Sequence, residues 1–113
     1  MKNLKNSVRL IGNLGKAPEV KEAGNSKLAK FSLATNESYR NAQGEKVTET
    51  QWHNIVVWGK QAELVEKYLQ KGSEVAIEGK LSTRMWEDKD GKKHYTTEII
   101  ASDFLMLGKM PQA

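Results

Sequence analysis

The sequence predicts a small, mainly β domain, with five strands in a barrel and one helix between the third and fourth strands. Five segments alternate apolar and polar residues, one segment has helical spacing instead, and glycine-containing turns lie between them. A chain of 113 residues also fits a single domain by size. We therefore expect residues 1–108 to form this domain and residues 109–113 to be a short C-terminal remnant.

The five alternating segments are Ser7–Leu14, Leu28–Thr35, Gln51–Trp58, Glu74–Thr83 and Tyr95–Leu107. Because successive side chains of a strand point to opposite faces, each segment has an inner and an outer set. In the fourth segment we expect three residues to face the core: Val75, Ile77 and Leu81.

Turn signals separate these segments. Gly24-Asn25 marks a turn between the first two, and Asp90-Gly91 predicts a tight hairpin between the last two. Asp103 is a candidate for a break or bulge in the fifth strand.

The segment Lys60–Lys71 breaks the strand period. Its apolar residues recur at helical spacing, and Gly72 stands where a C-terminal glycine cap is expected. The order strand–strand–strand–helix–strand–strand is typical of an OB-fold, a five-stranded Greek-key barrel. Another small β-barrel decorated with a helix is the alternative.

Composition favours a binding protein over an enzyme. Eighteen Lys and Arg against fourteen Asp and Glu give a net charge of +4, which suits either a polyanionic partner or plain solubility. The absence of cysteine excludes disulfides and thiolate metal sites. His53 and His94 lack partners at catalytic or metal-binding spacing, and the acidic residues at 87–90 lie among lysines. We expect no metal, no cofactor, no catalysis, no membrane segment and a cytoplasmic location.

The third strand points to a nucleic-acid surface. Alternation places one apolar set inward, which leaves Trp52, Asn54 and Trp58 on the outer face. The exposure of two tryptophans calls for a functional explanation. Stacking with bases, which contributes ~1–3 kcal/mol for each base, is one such explanation. The alternative is that a second subunit or the long loop covers them.

Two further places combine aromatic and basic side chains. Lys80, Arg84 and Trp86 point outward if the fourth strand continues, so that Arg84 and Trp86 suit a phosphate and its neighbouring base. A surface ion pair of Arg84 with Glu87 or Glu78 is the alternative. Tyr39-Arg40 repeats the combination before a polar loop, residues 41–49, that either closes over a strand or is a solvated hairpin.

From about Leu4 to Gly108 the sequence closely resembles bacterial single-stranded DNA-binding proteins. The matching motifs are Asn13-Leu14-Gly15 with Pro18-Glu19-Val20, Phe31-Ser32-Leu33-Ala34-Thr35-Asn36-Glu37-Ser38, Glu49-Thr50-Gln51-Trp52-His53, Trp58-Gly59-Lys60, Tyr68-Leu69-Gln70-Lys71-Gly72, Ile77-Glu78-Gly79 and Tyr95-Thr96-Thr97-Glu98.

The resemblance implies an OB-fold that assembles as a homotetramer with DNA wrapped around its outside. It implies protection of single-stranded DNA in replication, recombination and repair, without a cofactor. The implied base-stacking residues, which we expect on the outer surface, are Tyr39, Trp52, Trp58 and Trp86. The implied phosphate contacts are Lys60, Arg84, Arg40, Lys80 and Lys71. The implied subunit interface includes His53 and the first strand, with Val8 and Leu10, where dimers pair edge to edge.

Two features depart from the family pattern. Tyr39 stands where the family often has tryptophan, and Trp58 where it often has phenylalanine, and both keep a ring for stacking. Family members commonly have a flexible tail with an acidic tip that recruits replication and repair proteins. This chain ends at Lys109-Met110-Pro111-Gln112-Ala113, which leaves that recruitment open.

Three other functions compete with this interpretation. The first is an OB-fold that handles RNA or acts as a related dimer in primosome assembly. The second is a small nuclease or deaminase, against which the missing ligand clusters argue. The third is a structural oligomer whose tryptophans pack between subunits.

Overall fold

The computed structural model describes residues 5–108, and the predicted remnant at 109–113 lies outside them. In chain order the elements are β1 (Val8–Leu14), β2 (Glu19–Ala23), β3 (Ser26–Arg40), β4 (Lys46–Trp58), α1 (Lys60–Tyr68), β5 (Glu74–Glu87) and β6 (Lys93–Leu107).

Five of these strands close into a barrel. β1 pairs with β5, β5 with β6 and β3 with β4, all antiparallel, while β4 and β6 are parallel. The sheet closes where the end of β1 returns to β3, with Asn13 opposite Ala34 and Leu14 opposite Leu33. The predicted five-stranded barrel with its one helix is confirmed. β2 is additional, because the connection with the Gly24-Asn25 turn forms a short hairpin on the start of β3.

The core lies inside the barrel and under α1. Alternate residues of β3, β4, β5 and β6 supply most of it, as the sequence pattern predicts, and the helix adds Ala62 and Val65, with Leu69 just after it. Each fully buried aliphatic side chain contributes ~1.5–3 kcal/mol. Lys27 of β3 donates a 3.0 Å hydrogen bond to Glu66 of α1, and this contact raises the pKa of Lys27.

The β3–β4 hairpin extends beyond the barrel as the first arm, residues 36–50. The predicted loop 41–49 is wrong in length, since β4 begins at Lys46 and leaves only five residues between the strands. The side chain of Asn41 accepts hydrogen bonds from the backbone N–H groups of Gln43 and Glu45, which closes this turn. Arg40 donates to the carbonyl oxygen of Gly44 at 2.8 Å.

β5 and β6 form the second arm, residues 80–98. The pairing of β1 with β5 ends at Gly79, so no described strand lies beside Leu81 on that side. Leu81 is half exposed, and its predicted place in the core is therefore wrong. The bulge expected near Asp103 is present at the preceding residue, because Glu78 pairs with Asp103 and Gly79 with Ala101, which leaves Ser102 extra.

The turn of the second arm and the end of the helix also differ from prediction. The turn spans five residues, 88–92, and not a two-residue hairpin at Asp90-Gly91. Asp88 causes this, because its Oδ1 accepts hydrogen bonds from the backbone N–H groups of both Asp90 and Lys92. The helix ends at Tyr68, and Gly72 lies in the following turn, where its N–H donates to the Leu14 carbonyl.

Candidate nucleic-acid interface

The strand register brings the predicted residues of β4 and β5 onto one surface. Ile55 of β4 lies opposite Ile99 of β6, and both are buried, so their neighbours along each strand point outward. β6 is in turn paired with β5, with Trp86 opposite His94. The side chains on this surface, which we call the outer face, include Trp52, Asn54, Trp58, Lys80, Arg84 and Trp86.

The large aromatic side chains expected on the surface are exposed. Trp52 exposes 61% of its surface, Trp58 47%, Trp86 45% and Tyr39 47%. These values exclude their packing in the barrel interior. Val56 shares the strand face of the two β4 tryptophans but is buried between neighbouring strands, with Lys30 and Ile100 beside it.

Trp52 lies against the backbone at the end of β1. A Cβ atom built on Gly15 would lie 2.6 Å from Cζ3 and 2.8 Å from Cη2 of the indole. The six-membered ring of Trp52 therefore occupies the space that a side chain at residue 15 would need. Only glycine permits this position of the ring.

A groove of about 230 Å³ opens between the end of β1 and the strands β3, β4 and β6. Asn54 and Glu98 line it, together with Lys16 and Lys30. Sequence reasoning assigned no function to these two lysines, although alternation does place Lys30 outward. They supply two cations next to the tryptophans of β4.

Arg84 forms an ion pair with a residue that the sequence did not indicate. Its Nε lies 3.2 Å from Oε1 of Glu98, across the second arm. The alternative partners Glu87 and Glu78 are therefore wrong for this arginine. The arginine remains more than half exposed, whereas the glutamate is largely covered, so the guanidinium has donors left for an anion.

Trp86 is held from two sides. Its indole Nε1 donates to Thr96 Oγ1 at 3.0 Å, and its ring stacks on His94. His94 Nε2 donates in turn to Oδ2 of Asp88 at 2.7 Å. The hydrogen bond from His94, followed by that from the Lys92 backbone, lowers the pKa of the Asp88 carboxyl.

Tyr39 lies on the opposite side of the first arm from the outer face, whereas alternation places Arg40 on the same side as Trp52. The β3–β4 register is unbroken from Leu28 to Arg40, so alternation places Tyr39 on the face of Thr35 and His53, opposite that of Trp52. Tyr39 is nevertheless exposed, as expected, although it does not share a strand face with the tryptophans. Its hydroxyl donates to Glu49 at 3.0 Å.

The lysines predicted to contact phosphate are exposed, but they are scattered. Lys60 is the first residue of α1, two positions after Trp58. Lys80 lies at the base of the second arm, opposite Ile100. Lys71 lies in the turn after the helix. Only Lys80 shares the outer face by strand alternation.

The predicted interface residues lie mainly on the inner side. Val8 and Leu10 pack against the core, and the large apolar side chain that β1 exposes is Ile11. His53 is half-buried, 2.9 Å from the Thr35 hydroxyl. A second surface, outside β1, β5 and β6, exposes Ile11 and Leu105 beside a groove of about 560 Å³.

Two further features of residues 5–108 concern metal binding and membrane insertion. These residues contain no group of three or more His, Cys, Asp or Glu side chains placed to hold a metal ion. No helix in this range is long and apolar enough to cross a bilayer.

Comparison with solved structures gives close matches. The Plasmodium falciparum single-stranded DNA-binding protein, solved in complex with single-stranded DNA, is 41% identical and superposes with a TM-score of 0.85 over 96% of this chain and 98% of that chain. A deletion mutant of the Thermus aquaticus single-stranded DNA-binding protein is 27% identical, with a TM-score of 0.81 over 91% of this chain and 50% of that chain. These similarities agree with the OB-fold barrel.

Sequence comparison gives a relative of the same kind. Single-stranded DNA-binding protein 1 of Chlorobaculum tepidum is 48% identical over 105 residues, which cover 91% of this chain and 65% of the relative. The chain thus spans about two thirds of that protein's length. The model of the single-strand binding protein family matches residues 5–107. The chain therefore belongs to the single-strand binding protein family.

Proposed function

We propose that this chain binds and protects single-stranded DNA, without sequence preference and without catalysis, by stacking bases on exposed tryptophans and neutralising phosphates with Lys and Arg. The observation on which the proposal rests is the exposure of Trp52, Trp58 and Trp86 on one continuous face of the barrel and its second arm. Such exposure costs hydrophobic free energy in the unbound protein, and a flat base recovers it without being read for sequence.

Cations on the same face suit the DNA backbone. Arg84 and Lys80 lie on the second arm, and Lys30 lies in the groove beside Asn54. Each phosphate that they neutralise releases condensed counterions, so that affinity falls as salt rises. Tyr39 and Arg40 contribute to the same function if the DNA passes around the tip of the first arm.

Family membership supports the class of ligand. The matched family binds single strands, and one structural relative was solved with single-stranded DNA bound. We propose roles in replication, recombination and repair and a cytoplasmic, nucleoid-associated location on the same basis. Preference for DNA over RNA is tested by competition between matched oligomers. A clear RNA preference would favour the RNA-handling alternative.

A fluorescence titration tests the proposal. Oligo-dT should quench the tryptophan emission strongly, more weakly as salt is raised, and duplex DNA of equal length should have little effect. Trp52→Ala and Trp86→Ala should each weaken binding by ~1–3 kcal/mol, or about five- to 150-fold. Leu64→Ala is a matched control, because it removes an exposed apolar side chain from α1 and no aromatic ring.

Three results would contradict the proposal. Parent-like affinity of both tryptophan variants would refute base stacking. Unchanged tryptophan emission on adding DNA would favour the alternative of a structural oligomer whose tryptophans pack between subunits. Turnover of a labelled oligomer in the presence of divalent metal would refute the absence of catalysis.

We also propose that the protein assembles as a homotetramer. Exposed Ile11 and Leu105 beside one groove form an apolar patch of the kind that mediates association. The edge of β1 at Val8–Gly12, away from β5, pairs with no strand of residues 5–108 and is open to edge-to-edge pairing through its backbone. Light scattering should give four times the chain mass of 12.7 kDa. Ile11→Asp should lower it, whereas Leu64→Asp should not.

A further inference from the structure

The ring of Trp86 has a different environment from the other exposed tryptophans. The imidazole of His94 stacks on it, with 4.5 Å between ring centroids and 20° between ring planes. This separation lies within the range of favourable aromatic stacking. Trp86 nevertheless keeps almost half of its surface exposed. The protein therefore already covers part of this indole before any ligand arrives.

His94 is itself fixed by the turn of the second arm. Its Nε2 lies 2.7 Å from Oδ2 of Asp88. The other carboxylate oxygen of Asp88 accepts the backbone N–H groups of Asp90 and Lys92 at 2.9 Å each. The turn, the carboxylate, the imidazole and the indole thus form one continuous set of contacts.

The remaining edge of the indole is also fixed. Its Nε1 donates to Thr96 Oγ1 at 3.0 Å. A ring held both at its polar edge and by a stacking partner has few rotamers left to lose when a ligand binds. Immobilising a free side chain of this kind on binding costs ~0.5–1.5 kcal/mol.

We infer that His94 is a positioning residue for the DNA contact of Trp86. It covers one face of the indole and orders the ring, so that a single base stacks on the opposite face. The inference rests on the proposed binding of single-stranded DNA. It assigns His94 no contact with the DNA, and it gives Asp88 the task of holding the imidazole in place.

A chain with one tryptophan isolates the effect. Of the three tryptophans, Trp52→Phe and Trp58→Phe keep an aromatic ring and leave Trp86 as the only indole. In this background His94→Ala removes the stacking ring, and His94→Phe restores a ring without the hydrogen bond to Asp88. Tyr95→Ala is the matched control, because it removes an exposed aromatic from the neighbouring position on the other face of the arm.

Two measurements are needed. The first is the affinity for labelled oligo-dT. The second is the emission maximum and time-resolved anisotropy of Trp86 in the free protein. A general loss of fold would be recognised because it would also change the circular dichroism spectrum.

We expect His94→Ala to weaken binding about two- to tenfold. In that variant the Trp86 emission should shift to longer wavelength and its anisotropy should decay faster, with an unchanged circular dichroism spectrum. His94→Phe, which keeps a stacking ring but loses the hydrogen bond to Asp88, should restore part of both affinity and anisotropy, and Tyr95→Ala should leave them as in the parent.

Several outcomes would overturn the inference. These are His94→Ala with parent-like affinity and anisotropy, His94→Phe as weak as His94→Ala, or Tyr95→Ala as weak as either. Failure of the unsubstituted protein to bind oligo-dT would instead refute the proposed function, so the two failures are distinguishable.

Discussion

Substituting Gly15 by alanine should weaken DNA binding while leaving the free energy of unfolding almost unchanged. The new Cβ would lie 2.6 Å from Cζ3 of Trp52, whereas carbon atoms in contact prefer ~3.5–4.0 Å. The indole must therefore move by about 1 Å. Because this ring is more than half exposed, it can move without disturbing the core. The free energy of unfolding should change by less than about 0.5 kcal/mol.

DNA affinity should respond more strongly than stability. Removing the ring by Trp52→Ala forfeits a stack worth ~1–3 kcal/mol, and displacing the ring forfeits part of it. We expect Gly15→Ala to weaken binding of oligo-dT about three- to tenfold, or ~0.7–1.4 kcal/mol. Fluorescence titration measures the affinity, and urea unfolding measures the stability.

The double variant tests the cause. If Gly15→Ala acts only through the ring, then Gly15→Ala combined with Trp52→Ala should bind no more weakly than Trp52→Ala alone. Additive losses in the double variant would refute the reasoning, and so would parent-like affinity of Gly15→Ala.

Three further predictions concern other positions. Gly12→Ala should lower the free energy of unfolding, measured in urea, by about 3 kcal/mol. The new Cβ would collide with the backbone carbonyl of Ala34, which cannot move aside as an exposed ring can. Unchanged stability would contradict the close approach of β1 and β3. Arg84→Ala should reduce the slope of log affinity against log salt by ~0.7, and an unchanged slope would mean that it contacts no phosphate. The Asp88 carboxyl has a lowered pKa, so its contact with His94 should persist below the ordinary value of ~3.9 and be lost only as the pH falls through the lower value. NMR titration of the His94 ring should show this, and Asp88→Asn should remove the transition.

The barrel could be predicted from the sequence because burial leaves a record in the pattern of residues. Strands such as Leu28–Thr35 have one face in the core, and their apolar residues alternate accordingly. The two arms lack such an alternating pattern, since both faces of residues 36–50 and 80–98 are exposed to solvent along most of their length. The sequence therefore ended β3 and β5 too early, and it placed Leu81 in a core that does not extend that far.

The contact between Trp86 and His94 lay beyond sequence reasoning for a related cause. A two-residue turn at Asp90-Gly91 would have placed Tyr95 opposite Trp86. The side chain of Asp88 accepts two backbone N–H groups and widens the turn to five residues, which shifts the register by one. A single carboxylate thus decides which ring faces the indole, and turn propensities do not include its effect.

Trp52 and Trp86 present their rings by opposite means. At Trp52 the absence of a side chain at Gly15 lets the indole lie against the backbone. At Trp86 the presence of the His94 ring supplies the supporting surface. In each case one side of the ring lies against the protein and much of the rest stays exposed, which suits a ligand that stacks from a single direction.

This arrangement also limits the cost of exposing tryptophan. An indole supported on one side exposes less apolar surface to water in the unbound protein. It has also lost part of its rotational freedom already, so less entropy remains to be lost when a base stacks. Adding a methyl group at Gly15 and removing the ring of His94 should therefore have the same effect at two separate sites. Both should leave the fold intact and weaken the binding of DNA, and because the two sites share no contact their effects should add.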